Sequence, residues 1–126
     1  MHDREADCVT SARALWKLAW RSPMSDQPLQ EARAILEKSL EADQRNVVVL
    51  TCLGAVLCDL CLYAKAREYL ERAVQLGSTD RNTYINLFVA MLDSGAMEDA
   101  RAALDEGVHF ERNPETWEAY FDPQAM

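Results

Sequence analysis

A chain of 126 residues, 49% of them apolar, has the size of one domain and enough material for a continuous core. Its formal charge of −8 opposes binding to phosphate backbones and anionic lipid surfaces, which relies on clustered Lys and Arg, so nucleic acid is not an expected partner. The most apolar run, residues 47–58, is followed by Asp59 and falls short of the roughly 18 residues of a membrane span.

In chain order, residues 1–22 begin with charges of both signs and lack the basic start, apolar middle and cleavage site of an export signal. A soluble, cytoplasmic protein with its four cysteines as thiols is therefore expected. A first helix is predicted over 5–21, where Val9, Ala12, Trp16, Ala19 and Trp20 fall at helical spacing. Past Pro23, the run Asp26-Gln27-Pro28 opens a second helix over 28–42, proline being suited to a first turn.

The third helix, 46–61, is apolar nearly all round. Leu50, Leu53 and Leu57 mark one face, while Val48, Ala55 and Cys58 lie on another, so the helix is expected to be covered on every side. It also holds Cys52 and the C-x-x-C pair Cys58 and Cys61, read as core thiols, because His2 and His109 are too distant in sequence to complete a metal site. A fourth helix over 63–76 carries Tyr63, Ala66, Leu70, Ala73 and Val74 on one face. The fifth, 80–94, has Leu87 and Met91 inward and ends before Gly95, which suits a left-handed helix end. After a sixth helix over 97–109, Asn113-Pro114-Glu115 predicts a seventh over 114–121: a cap, a first-turn proline and an acid near the positive helix end. Trp117, Tyr120 and Phe121 would lie on one side of it and cover the end of the stack.

The chain also repeats. Ala32, Ala66 and Ala100 recur at a step of 34 residues, as do Leu36, Leu70 and Leu104, then Trp16, Leu50 and Tyr84, then Leu29, Tyr63 and Met97. Arg33, Arg67 and Arg101 follow in register, with Glu37, Glu71 and Asp105. Small residues at a fixed position let paired helices approach to about 8–10 Å.

With these columns the sequence resembles the tetratricopeptide-repeat family, whose pattern runs W-x-x-L-G-x-x-Y, then A-x-x-x-F, then P. The second unit offers Leu50, Leu53, Gly54 and Leu57, then Ala66 and Leu70; the third offers Tyr84, Leu87, Phe88 and Met91, then Ala100 and Leu104. The first has Trp16, Ala32 and Leu36, but Pro23 at the family's aromatic position, and Gln44, Ser78 and Arg112 replace the closing proline. The resemblance implies an all-α, right-handed solenoid of about seven helices in a single domain over 1–126. Repeat 1 would span about 13–46, repeat 2 47–80, repeat 3 81–112, and a capping helix 114–121.

It further implies a concave groove lined by the first helix of each unit. Carried over position by position, the groove residues are Lys17 and Arg21 in the first unit, with Ala14 beside them. The second unit supplies Val48, Thr51, Ala55, Cys58 and Asp59, and the third supplies Asn82, Ile85, Val89, Leu92 and Asp93. Such a groove suits an amphipathic helix or an extended apolar segment of a partner, unless the chain's own N-terminal residues or a homodimer mate cover it. The family's clamp for C-terminal carboxylates looks absent: Lys17 matches its first position, but Arg21, Cys52, Asn82 and Asn86 stand at the others.

No Gly-rich phosphate loop, H-E-x-x-H or nucleophile elbow is present, and the acid pairs Glu98-Asp99 and Asp105-Glu106 fall on a solvated helix face. The expected activity is non-enzymatic protein binding, without cofactor or metal. It would serve as an adaptor, or as a chaperone of the kind represented by the small, acidic, three-repeat chaperones of bacterial type III secretion.

Overall fold

Helix ends in this chain are fixed by short-range chemistry. Asn46 opens a helix by accepting the Val49 N–H on its side chain at 3.0 Å, and Asp80 opens another by accepting the Asn82 N–H at 2.9 Å. At the other ends, Leu62 donates to the Leu57 carbonyl at 2.8 Å and Ser78 to the Ala73 carbonyl at 3.1 Å, six-to-one bonds that close the last turns. The residue turning left-handed is Gly77 (φ 90°) in the second case but Cys61 (φ 62°) in the first, and Gly95 (φ 75°) turns the same way after the fifth helix.

The structure is a computed structural model that describes residues 4–21 and 25–119. Among them are six α-helices and no strand: α1 (Arg4–Arg21), α2 (Gln27–Ala42), α3 (Val47–Asp59), α4 (Tyr63–Gln75), α5 (Arg81–Asp93) and α6 (Met97–Gly107). Each agrees with its predicted counterpart to within two residues at either end. Pro23 lies outside the described residues, so its effect on the end of α1 is not visible.

The helices pack as three consecutive hairpins, α1 on α2, α3 on α4 and α5 on α6, with α2 against α3 and α4 against α5. The first helices of the hairpins also meet, α1 with α3 and α3 with α5, so the chain is a helical solenoid. Ala32, Ala66 and Ala100 are each fully buried, as the small column required. The paired helices approach closely at two glycines: a Cβ at Gly54 would stand 2.4 Å from Leu70 Cγ, and one at Gly107 2.4 Å from Tyr84 Cβ. α3 lies at the centre, and residues 49–58 are buried without exception, so the helix is covered on every side.

Two expectations are corrected. The C-x-x-C does not lie in one helix, because α3 ends at Asp59; Cys52 and Cys58 are buried but Cys61 is exposed in the turn, where Tyr63 Oη bonds its sulfur at 3.7 Å. Of the fourth apolar column, Leu29 and Tyr63 pack on the core but Met97 is 56% exposed. Tyr63 lies close enough to Asp93, at the end of α5, to feel its charge, whereas α6 has no following hairpin to cover Met97 among the described residues.

Candidate functional site

The predicted groove residues do not share one surface. On α3, Thr51, Ala55 and Cys58 are buried, and two of them meet α5: Thr51 Oγ1 lies 2.6 Å from Thr83 Oγ1, and Cys58 Sγ donates to the Asn86 carbonyl at 3.7 Å. Burial, then the charges of Asp59 and Cys61, push the Cys58 thiol far above its ordinary pKa and hold it neutral. Asp59 faces the other way and accepts the Trp16 indole N–H at 3.0 Å, tying α3 to α1. The register placed these side chains between neighbouring helices because the three first helices touch directly. Lys17, Arg21 and Asp93 are exposed, and Val48, Ile85, Val89 and Leu92 are half-buried.

What crosses the common face of α1, α3 and α5 is the chain itself. Residues 113–119 form a turn followed by irregular chain, not the start of a seventh helix. Asn113 Oδ1 accepts the Glu115 N–H at 2.9 Å and the Asn113 carbonyl accepts the Thr116 N–H at 3.1 Å, so the predicted cap forms but no helix continues from it. The reason is tertiary. Asn86 donates from Nδ2 to the Trp117 carbonyl at 3.0 Å and accepts the Ala119 N–H on Oδ1 at 2.8 Å, taking main-chain groups that a helix would need for itself. Tyr120 and Phe121 lie outside the described residues.

The rest of the seam is equally specific. The Asp80 carboxylate, 8% exposed, accepts from Asn113 N–H at 2.9 Å and from Thr116 Oγ1 at 2.6 Å, while Asn82 Nδ2 donates to Thr116 Oγ1 at 3.0 Å. Cys52 Sγ approaches the Glu115 carbonyl at 3.9 Å, and from α1 Arg13 donates to the Pro114 carbonyl at 2.7 Å. Trp117 is 3% exposed and stacks on Trp16 with ring centroids 5.4 Å apart; Trp20, 53% exposed, meets Trp16 edge-on at 5.1 Å. An open pocket of about 560 Å³ runs beside this stack, between α1 and the segment.

Helix α4, the hairpin of α5 and α6 and the chain that follows them are the part of the molecule with a family signature: residues 62–120 match the family model described as tetratricopeptide repeat. Over that stretch, just under half of its length, the chain resembles tetratricopeptide-repeat proteins. The hairpin of α1 and α2 and helix α3 lie outside the matched residues and continue the same stacking. No match was found among curated proteins.

Sequence reasoning named Asn82 as a groove residue and Cys52 as a core thiol, and found Asn86 only as a departure from the tetratricopeptide family's carboxylate clamp. In the structure Cys52 and Asn86 meet the backbone of residues 115–119, and Asn82 donates to the Thr116 hydroxyl. The available signal was two asparagines one turn apart on an apolar helix, where unpaired amides would be costly to bury. No described helix is long and apolar enough to cross a membrane, and among the described residues no three His, Cys, Asp or Glu side chains converge as a metal site.

Proposed function

We propose that this protein is a non-enzymatic interaction module that holds a segment of another polypeptide on the face of α1, α3 and α5, as an adaptor or a small chaperone. Tetratricopeptide repeats are a protein-interaction fold, and the stacked hairpins supply an extended surface for that purpose. The observation that carries the reading is the Asn86 amide, which pairs with one carbonyl and one N–H of a non-helical segment lying across that face. A surface that satisfies main-chain groups in this way is fitted to polypeptide and not to a small polar metabolite.

Beyond the segment, Ile85, Val89 and Leu92 leave half-buried apolar area along α5, next to the exposed Asp93. An apolar helical or extended partner would bury that area. The charge of −8 is compatible with a dedicated chaperone for one secretion client as well as with an adaptor. Self-association is the second reading, favoured by the fact that one face of the solenoid already accommodates a segment of this same sequence.

Co-purification at native expression level, followed by mass spectrometry, identifies the partner. The decisive comparison is then Val89→Glu against Leu87→Ala. Val89 is half-buried while Leu87 is 4% exposed in the core. Val89→Glu should weaken capture by about 2 kcal/mol or more, the scale of a binding hot spot. Leu87→Ala should cost about 2–5 kcal/mol in folding stability through its cavity. Unchanged capture by folded Val89→Glu would remove the α5 surface from the site.

A further inference from the structure

The bonds that hold residues 113–119 are mostly made to their main chain. Pro114, Glu115 and Trp117 offer carbonyls to Arg13, Cys52 and Asn86, and Ala119 offers its N–H to Asn86. Three side chains of the segment are read in the buried seam: the Thr116 hydroxyl, between Asp80 and Asn82, the Trp117 ring, stacked on Trp16, and the small Ala119, packed in the core. Any non-helical segment with a hydroxyl residue, then an aromatic one and a small one in the same order presents the same groups.

The fit is also incomplete. Asn82 Oδ1 and Trp117 Nε1 are buried at this seam with no hydrogen-bond partner among the described residues. Buried polar atoms left in that state weaken the closed arrangement relative to one that satisfies them. The stack on Trp16 is open along one side, where the pocket of about 560 Å³ lies.

We propose that residues 113–119 are an intramolecular placeholder, and that the seam of α1, α3 and α5 is a main-chain-reading site for a non-helical partner segment of hydroxyl–aromatic–x–small pattern, which displaces them. This rests on the protein-binding function proposed above and names its ligand class. The segment is tethered to its own site at an effective concentration of order millimolar, so a free segment competes poorly until the tethered one is weakened. The device keeps the indole of Trp117 and the groove amides covered when no partner is present.

The test uses the full chain and a fluorescein-labelled peptide of residues 113–119, Asn-Pro-Glu-Thr-Trp-Glu-Ala, followed by fluorescence anisotropy. Thr116→Ala and Trp117→Ala each remove a side chain that holds the tethered segment, and neither residue lies in a helix. Both should bind the peptide at least about 10-fold more tightly than the wild-type chain, following the loss of intramolecular competition. Adding Asn86→Ala to either should abolish that gain, and a peptide with its own Trp replaced by Ala should bind no variant.

Three results would overturn the proposal. Both loosened variants could lose their cooperative helical melt, which makes the segment an inseparable part of the fold. They could fold and still ignore the peptide. Light scattering could instead show the loosened chains pairing by exchange of this segment, with peptide binding absent, which makes a second copy the occupant. In each case partner capture and its sensitivity to Val89→Glu still report separately on the protein-binding function, so failure of the placeholder does not pass for failure of that reading.

Discussion

Cys61 holds a left-handed backbone at φ 62°, a position that Gly77 and Gly95 take at other helix ends of the same chain. A side chain costs about 1 kcal/mol or more there, because Cβ crowds the following carbonyl. The sulfur it carries accepts the Tyr63 hydroxyl, and that bond, with burial and then the nearby charges of Cys61, Cys58 and Asp93, pushes the phenol up to about 12. The phenol's pKa in the folded chain lies above its ordinary value of 10, so its stabilising contribution is complete below pH 10 and is lost as pH rises through about 12. Tyr84 is shifted in the same direction by burial and by Glu106. Cys61→Gly should therefore do two things: raise the denaturation midpoint modestly at neutral pH, and move one tyrosine absorbance titration down toward 10. An unchanged titration curve would separate Tyr63 from the thiol. At Gly54 the constraint is space: a methyl group there meets three Leu70 carbons between 2.4 and 2.8 Å away. Gly54→Ala should cost about 1–3 kcal/mol, and Leu70→Ala in the same chain should cost less than the two single changes added together.

α3 illustrates what a pattern can and cannot say about an element. Its continuous apolar character announced burial on all sides, and residues 49–58 are all buried. Which neighbour covers each side was not legible, because a helix apolar all round has no face to break the tie. The hydroxyls decide it: Thr83 Oγ1 lies 2.6 Å from Thr51 on α3 and 2.8 Å from Ser78, linking α5 to both α3 and the turn before it. Thr83→Val leaves two buried hydroxyls short of a partner and should destabilise by about 1–3 kcal/mol, measurable by chemical denaturation, whereas exposed Thr10→Val should change little. Residues 113–119 show the opposite case. Their local sequence favours a helix start, and the Asn113 turn forms as written, but Asn86 takes the Trp117 carbonyl and the Ala119 N–H that would extend it.

Across the whole molecule, the hairpins and the segment should differ in how they open. Core helices such as α3 exchange their amide hydrogens only with global unfolding, whereas a non-helical segment held by a few bonds opens at lower free energy. Hydrogen exchange should thus protect α3 most, with the Ala119 amide intermediate, and Asn86→Ala should abolish protection at Ala119 while leaving α3 protected. Equal loss in both would mean that the segment and the solenoid form one cooperative unit. The half-buried i,i+4 pairs Arg33–Glu37 and Arg67–Glu71 lie on second helices; as partly exposed pairs they contribute little, so high salt should leave the melt nearly unchanged.

The 34-step columns at Ala32, Ala66 and Ala100 were sufficient, alone, to determine the helix pairs, their boundaries and the small residues at closest approach, because those depend on side chains within one repeat. Gly95, Asn46 and Asp80 fixed helix ends through bonds a few residues long. The face left for a partner depends on how one hairpin meets the next, and only the tertiary structure decided that. Contact between α3 and α5 put Thr51 and Cys58 inside, although their positions in the repeat read as groove. The course of residues 113–119 was settled by Asn86, 31 residues away from the Trp117 carbonyl it binds. A bond of that reach outweighs a local helix signal because burial makes an unmet amide costlier than a helix not formed.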